Sequence, residues 1–279
     1  MIKLRVMPEL PEVETVVRAL AQAMHDKTIS GVTLTRRDLR KPFPDNLEKN
    51  ISGQRVMSLS RRAKYILIHL ENGRVMAIHL GMSGRIRTEY VLSARQKHDH
   101  MILQLSDGCH VILNDARRFG YVLCLPERDL HAHECFQNLG IEPLERGASG
   151  SALHKALQGR KTPIKQALLD QHVIAGIGNI YACEALFEAG INPLKPAGSL
   201  TPEACQRLMK KIQDVLNRAI QAGGSTLRDY RQVSGESGYF QHDFKVYDRA
   251  GHKCRMCGHV IARIAQGGRT TFYCPSHQT

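Results

Sequence analysis

Apolar residues near the start of the chain recur at the spacing of one helix face. Between residues 9 and 24 this stripe consists of Val13, Val16, Val17, Leu20, Ala21 and Met24. Three acidic residues, Glu9, Glu12 and Glu14, come near the beginning, where the helix dipole favours negative charge. The pattern predicts an amphipathic helix over residues 9–24.

From Val32 to about Leu125 the helical period gives way to short stretches rich in β-branched residues. The clearest are residues 65–70, 74–80, 101–105, 110–113 and 121–125. Asn72-Gly73 and Asp107-Gly108 separate consecutive stretches and predict tight hairpin turns. Several antiparallel strands at this spacing predict a β-sandwich, and with the flanking helices an α+β chain.

The period becomes helical again after residues 143–151, a stretch that contains Pro, Gly and Ser. Helices are predicted over 164–172, 180–189 and 202–222. The last has Thr201 as its N-cap, Pro202 in its first position and Gly223 just beyond its end. Residues 223–243 are rich in Gly, Ser and polar residues, which predicts a long mobile loop, and such loops are often functional.

Composition restricts the class of partner. The 279 residues include 39 Lys and Arg against 26 Asp and Glu, a net charge of +13 that is spread along the whole chain. This distribution favours a polyanion such as nucleic acid as partner. No apolar run approaches the ~20 residues of a bilayer span, and Met1–Met7 is too short and too charged for a signal peptide. We therefore expect a cytoplasmic protein that makes no membrane contact.

Three of the eight cysteines have the spacing of a metal site. Cys254 and Cys257 form a C-x-x-C pair, and Cys274 with His277 forms a second pair about one hairpin later. Such pairs suit one tetrahedral, structural Zn²⁺, for which His252 and His259 are weaker candidates as fourth ligand. The other five cysteines are read as reduced, buried residues. Arg269 falls at the predicted hairpin tip, where a phosphate or base contact and a solvated turn residue are equally compatible with the sequence.

Six further segments strengthen this picture when taken together. They are MPELPEVE (7–14), RRAKY (61–65), HLGMSG (79–84), KHDH (97–100), DARRFG (115–120) and GIGNIY (176–181). With the zinc pairs, and in this order, they resemble the bacterial formamidopyrimidine-DNA glycosylase family from Met7 to the end of the chain. The resemblance implies an N-terminal β-sandwich, a helical domain with a helix-two-turn-helix element and a zinc-finger β-hairpin.

The resemblance also implies a chemistry for particular residues. Pro8 corresponds to the N-terminal proline that attacks C1′ of a damaged nucleotide and forms a Schiff base. Glu9 corresponds to the carboxyl group that handles protons at the sugar and the leaving base. Lys64 corresponds to the lysine that assists β-elimination and contacts phosphate, and Arg269 to the zinc-finger arginine that assists δ-elimination. The reaction implied is removal of oxidised purines followed by strand cleavage.

A base inside a duplex must be flipped out before it can be removed, and the gap must be filled. The family residues that fill it correspond to Met82, Arg117 and Phe119. Further DNA contacts are implied for His98, Arg160, Lys165 and Asn179, although Arg160 and Lys165 would also suit a solvated basic face. The polar loop from residue 224 to 239 corresponds to the segment that closes over the flipped base.

The resemblance divides the chain at predicted boundaries. Residues 1–7 are an extension with the initiator Met, 8–142 the catalytic sandwich, 143–155 a linker, 156–243 the helical DNA-binding domain and 244–279 the zinc finger. We expect Met7 to be the true initiator, because a retained extension would hold the Pro8 nitrogen in an amide. Two departures are His277 in place of a usual cysteine, which zinc tolerates, and Ala116 in place of a common proline.

Three functions remain open from the sequence. The leading one is a monomeric glycosylase and lyase for 8-oxoguanine and formamidopyrimidines in double-stranded DNA, associated with the nucleoid when bound to DNA. A related alternative is an endonuclease VIII-like glycosylase for oxidised pyrimidines, against which residues 115–120 argue. The third, from a different class, is a non-catalytic zinc protein that binds damaged DNA, which applies if Pro8 is blocked.

Overall fold

The first helix forms where the apolar stripe predicts it. In the computed structural model, which describes residues 7–92, 94–225 and 239–279, α1 spans Leu10–Met24. A capping box begins it, in which the Glu9 backbone N–H donates to Glu12 Oε2 at 3.0 Å. Its apolar face, including Val13, Val16 and Leu20, is buried in the core.

The chain divides into two compact units. The first comprises the described residues of Met1–Gln137 and Ala222–Tyr239, and the second comprises Asn138–Gln221 and Phe240–Thr279. The finer predicted division into linker, helical domain and zinc finger stays a prediction.

The first unit is a β-sandwich, as predicted. Its elements after α1 are β1 (Ile29–Leu34), α2 (Leu47–Ile51), β2 (Val56–Arg62), β3 (Tyr65–Leu70), β4 (Arg74–His79), β5 (Gly84–Glu89), β6 (Asp99–Leu105), β7 (His110–Asp115) and β8 (Tyr121–Pro126). They form two antiparallel four-stranded sheets, in the orders β1-β6-β7-β5 and β2-β3-β4-β8. Apolar side chains from both sheets and from α1 form one continuous core.

The second unit combines helices with a hairpin. Its elements are α3 (Gly150–Leu157), α4 (Ile164–Leu169), α5 (Asn179–Glu188), α6 (Pro202–Gln221), β9 (Ala262–Gln266) and β10 (Arg269–Tyr273). The α6 helix begins as predicted, and the Thr201 hydroxyl accepts the Ala204 N–H at 3.2 Å. In contrast, α3 begins inside the stretch predicted as a linker (143–155), where Ser149 caps it by accepting the Ala152 N–H.

Two predictions fall on residues outside this description. Residues 1–6 of the predicted extension (1–7) lie outside the described residues, as do residues 226–238, which make up most of the predicted mobile loop (223–243). Within the described parts of the chain, no helix combines the length and the apolar character that crossing a bilayer requires.

Candidate functional site

The segment before α1 is buried although it is polar. Pro8 is buried, and the Glu9 and Glu12 side chains are only 2% and 3% exposed. Glu12 Oε1 accepts two hydrogen bonds from Ser225, one from its backbone N–H and one from its hydroxyl, both at 2.8 Å. The start of the helix is therefore bonded to a residue more than 200 positions later in the sequence.

Lys64 occupies a tight turn between β2 and β3. Arg62 and Tyr65 form the last pair of the ladder, so Ala63 and Lys64 make a two-residue loop, and Ala63 adopts a positive φ of 51°. The Lys64 side chain is 9% exposed. Arg61 fixes this turn, because its guanidinium donates to the Ala63 carbonyl and pairs with Glu14 of α1, each at 3.0 Å. The structure thus ties the Lys64 turn to the helix that follows Pro8 and Glu9.

Met82 and Phe119 lie on two loops of the same unit that approach each other through glycine. A Cβ atom on Gly81, whose φ is +63°, would stand 2.3 Å from the Phe119 carbonyl carbon. Phe119 is 40% exposed, and the Arg117 guanidinium lies 4.6 Å from the centre of its ring. The predicted gap-filling residues therefore come from two loops that are in close contact.

A buried carboxylate organises these loops. Asp115 is fully buried and accepts hydrogen bonds from the Ser83 hydroxyl and from the Gly120 N–H, the latter at 2.8 Å. The Arg117 N–H donates to the Ser83 hydroxyl oxygen at 3.0 Å. The DARRFG motif supplies Asp115, but the sequence offered no indication that its role is to bond to the HLGMSG turn.

His79 lies under these loops in an aromatic cluster that the sequence analysis did not identify. Its ring stacks on Tyr121 at 5.2 Å, and its Nδ1 accepts the Gly81 N–H at 3.1 Å. Burial, reinforced by the positive charges of Lys64 and Arg40, lowers the pKa of His79 to about 4. The imidazole is therefore neutral at physiological pH and acts as a hydrogen-bond acceptor for the turn.

His98 contributes to a basic, open cavity of about 350 Å³ that also includes Arg36, Arg95 and Lys97. It has a positive φ of 78° and precedes Asp99, which is buried. Burial opposes ionisation of Asp99, but two bonds from the Arg87 guanidinium, at 2.7 and 2.9 Å, help to hold its pKa below its usual range. The cationic side chains that line the cavity suit a phosphate group.

In the second unit, Asn179 is the first residue of α5 and follows Gly176 and Gly178. Its Nδ2 donates to the Thr270 carbonyl at 2.9 Å, next to Arg269 in the hairpin. Its Oδ1 is buried and has no hydrogen-bond partner among the described residues. The start of α5 is thus bonded to the hairpin strand that begins with Arg269, which is exposed after two glycines with positive φ.

Arg160 and Lys165 differ in their surroundings. Arg160 is partly exposed and pairs with Asp170 at 3.0 Å. Lys165 is completely buried in α4, so it does not belong to a solvated basic face.

Three cysteines form a metal-binding group. The sulphur atoms of Cys254, Cys257 and Cys274 lie within 4.8 Å of one another, with 3.4 Å between the last two. Three soft thiolates at this separation suit tetrahedral Zn²⁺ and would hold one structural ion. His277 is outside this group of three: its Nε2 donates to the Phe187 carbonyl at 3.1 Å. That bond leaves Nδ1 as the nitrogen that could bind the metal, since ligating histidines commonly donate their other N–H to a carbonyl.

Glu184 of α5 holds the segment that leads into the zinc-binding hairpin. Its buried carboxylate accepts the successive backbone N–H groups of Lys245, Val246 and Tyr247 at 2.9, 2.9 and 2.7 Å. Sequence reasoning missed it because a single acidic residue in an apolar helix carries no local signal.

Comparison with known proteins gives the same organisation. Family models match the N-terminal domain of formamidopyrimidine-DNA glycosylase at residues 7–122, its H2TH domain at 139–231, and the zinc finger found in FPG and IleRS at 251–276. The formamidopyrimidine-DNA glycosylase of Methylocella silvestris is 47% identical, with 96% of this chain and 98% of that protein covered. The chain belongs to the formamidopyrimidine-DNA glycosylase family. The enzyme of Dinoroseobacter shibae is 48% identical over 98% of this chain and all of that protein.

Solved structures extend the likeness to the fold of this family. A mutant of the Lactococcus lactis enzyme in complex with Fapy-dG DNA has a TM-score of 0.90 at 32% identity, and the match covers 97% of this chain and 99% of that chain. The Lactococcus lactis enzyme bound to DNA with an abasic site has a TM-score of 0.89, with the same coverage. As a member of the family, the chain is a base-excision repair glycosylase, and AP lyase activity is part of the family's chemistry.

Proposed function

We propose that the chain removes oxidised purines, 8-oxoguanine and formamidopyrimidines, from double-stranded DNA and cleaves the strand at the resulting abasic site. The observation that carries the proposal is the burial of Pro8 and Glu9 at the capped start of a helix to which Arg61 ties the Lys64 turn through Glu14. The solved complexes of the Lactococcus lactis relative with Fapy-dG and abasic-site DNA support the choice of substrate.

Pro8 serves as nucleophile in this proposal. Once its secondary amine is free, its lone pair attacks C1′ and the bond to the base breaks, so that the base departs with a proton. The proline nitrogen then loses its proton, the C1′–O4′ bond of the sugar breaks and O4′ takes up a proton, with Glu9 supplying protons to the sugar or the departing base. The resulting iminium withdraws electrons from C1′, so the neighbouring C2′ proton can be removed and the 3′ phosphate leaves. Lys64 assists this β-elimination, and Arg269 assists the δ-elimination that releases the 5′ phosphate.

The remaining predicted residues bind DNA in this proposal. Met82 and Phe119 fill the gap left by the flipped nucleotide, and Arg117 bonds to the orphaned opposite base. Phosphate contacts fall to His98, Arg160 and Asn179, whereas Lys165, which is completely buried in α4, presents no exposed group to a phosphate. Asn179 would contact phosphate through the second N–H of Nδ2, whose other N–H donates to the Thr270 carbonyl, because a phosphodiester has no proton to donate to the buried Oδ1.

Zinc has a structural role here. When bound, the ion would hold together the two ends of the hairpin that carries Arg269. We propose His277 as the fourth zinc ligand, through Nδ1. We also propose that the protein acts as a monomer in the cytoplasm and is associated with the nucleoid when bound to DNA.

A second substrate class has one specific observation in its favour. A structure of the Lactococcus lactis relative contains DNA with an oxidised pyrimidine. Excision of 8-oxoguanine and of an oxidised pyrimidine should therefore be compared on matched duplexes. Faster excision of the oxidised pyrimidine would favour the endonuclease VIII-like alternative over the proposed function.

Borohydride trapping tests the mechanism. The protein, expressed from Met1 and separately from Met7, is incubated with a duplex that contains 8-oxoguanine opposite cytosine, reduced, and the attached peptide is mapped by mass. We expect an adduct on a chain that begins at Pro8. An adduct at a lysine would reject Pro8 as nucleophile. No adduct from either form, with salt-dependent binding retained, would favour the non-catalytic zinc protein.

A further inference from the structure

The Glu12 side chain forms hydrogen bonds with two segments of the first unit. One is the Pro8–Glu9 segment of the proposed chemistry, and the other contains Ser225. One carboxylate oxygen, Oε2, accepts the backbone N–H of Glu9, and the other, Oε1, accepts both donors of Ser225. The carboxylate thus receives at least three hydrogen bonds, and Glu12 is only 3% exposed. Bonds to a carboxylate are the stronger class of hydrogen bond, so this junction is well defined in geometry.

The bond to the Glu9 N–H constrains the nucleophile itself. That N–H belongs to the peptide group that joins Pro8 to Glu9, so fixing it fixes the orientation of the peptide attached to the proline ring. The capping box completes the constraint, because the Glu9 side chain in turn accepts the backbone N–H of Glu12. Glu12 therefore sets the position of both the proposed nucleophile and the proposed proton donor.

The chain at residues 224 and 225 is shaped to reach this carboxylate. Gly224 has a φ of +83°, and a Cβ atom there would approach Glu12 Cγ and Oε1 to 3.2 Å. Glycine therefore permits the close approach, after which Ser225 is 4% exposed. An ordinary helix cap requires only the bond to Glu9, and the bonds to Ser225 go beyond it.

We propose that Glu12 is a positioning residue for the reaction: it holds the Pro8–Glu9 peptide at a fixed place relative to Ser225 and so orients the amine for attack on C1′. The inference rests on the proposed function, since it needs Pro8 as nucleophile. Misplacing a reacting group by about 1 Å can cost on the order of 100-fold in rate. A purely structural role for Glu12 would instead lower stability and DNA binding together with the rate.

The decisive variant is Glu12→Gln, which keeps the shape of the side chain but turns one accepting oxygen into a donor. Its N–H₂ group would face either the Glu9 N–H or the Ser225 donors, so one side of the junction must open. Ser225→Ala is the milder variant, because it removes the hydroxyl bond and keeps the backbone bond. Glu48→Gln is the matched control, since Glu48 pairs with an exposed arginine, Arg37, elsewhere in the unit.

Two quantities are measured for each variant. Each variant is expressed from the start, Met1 or Met7, that gives a borohydride-trapped adduct in the wild-type protein. The first is the rate at which the borohydride-trapped adduct forms on abasic-site DNA in a single turnover, with the protein at a saturating concentration. The second is the Kd for a duplex with a tetrahydrofuran abasic analogue, which cannot form the iminium. We expect trapping about 10–100-fold slower for Glu12→Gln, a smaller loss for Ser225→Ala, and wild-type behaviour for Glu48→Gln. The Kd should stay within about twofold throughout.

Three results would count against the inference. Trapping by Glu12→Gln at the wild-type rate would overturn it, as would a Kd that weakens in proportion to the rate. If Glu12→Gln does not fold, an unchanged trapping rate in Ser225→Ala would overturn it. Absence of trapping in the wild type would overturn the proposed function itself, which distinguishes the two failures.

Discussion

Gly81→Ala tests whether the loops that carry Met82 and Phe119 depend on their close contact. The added Cβ would lie 2.3 Å from the Phe119 carbonyl carbon and 2.5 Å from the Gly120 nitrogen. Both neighbours are backbone atoms, so neither can rotate away as a side chain could. Either the turn at residues 79–84 or the loop at 115–120 must move.

The size of the effect follows from two contributions. The positive φ of +63° at Gly81 would destabilise an alanine there by about 1–2 kcal/mol. Forcing the added Cβ into a filled space typically costs about 1–3 kcal/mol more. Gly108→Ala provides the control for the first contribution alone, since its φ is +86° and its Cβ would meet nothing within 4 Å. We therefore expect Gly81→Ala to lose about 1–3 kcal/mol more unfolding free energy than Gly108→Ala.

Urea unfolding measures this difference. Circular dichroism is the suitable signal, because the sequence contains no tryptophan. Binding to a duplex with an abasic analogue should weaken in Gly81→Ala and stay unchanged in Gly108→Ala if Met82 and Phe119 fill the gap in the DNA. Equal losses of stability in the two variants would refute the packing argument.

Three further predictions concern other parts of the chain. Since the pKa of His79 is lowered to about 4, the unfolded chain binds a proton before the folded one does as pH falls. Stability should therefore fall by about 2 kcal/mol more between pH 7 and pH 5 than in His79→Gln, and parallel curves would exclude this contribution. Asp115→Asn should lose about 2 kcal/mol of unfolding free energy, because one of its accepting oxygens becomes a donor, and unchanged urea midpoints would contradict this. Cys257→Ser should lose its zinc by elemental analysis while the matched Cys135→Ser keeps one ion per chain; full zinc content in both would reject the ligand set.

The strands that the sequence predicted are those with clear turn signals and buried faces. The Asn72-Gly73 turn separates β3 and β4 as expected. In contrast, β5 was not assigned, because arginines occupy its outward positions and leave few apolar residues. The helix α3 was missed for a related reason: residues such as Ser149 that cap helices are the same ones that are common in linkers.

The candidate site was predicted where motifs are contiguous and missed where contacts are distant. Pro8, Lys64 and the cysteines belong to local patterns. Glu12 was interpreted only as a charge at a helix start, since its bond to Ser225 spans 213 positions and leaves no periodic signal. Glu184 was missed because the N–H groups that it accepts belong to the backbone, which every residue carries.

The separation of Glu12 from Ser225 also has a consequence for protein synthesis. A ribosome adds about 5–20 residues per second, so roughly 10–40 s pass between the two residues. Both sheets of the sandwich become complete in sequence before that interval ends, at Pro126, while Glu12 still lacks its Ser225 partner. If Glu12 orients the amine, a nascent chain gains full reactivity toward abasic DNA only after Ser225 has been synthesised. The order of translation would then delay strand cleavage until most of the DNA-binding residues have been synthesised.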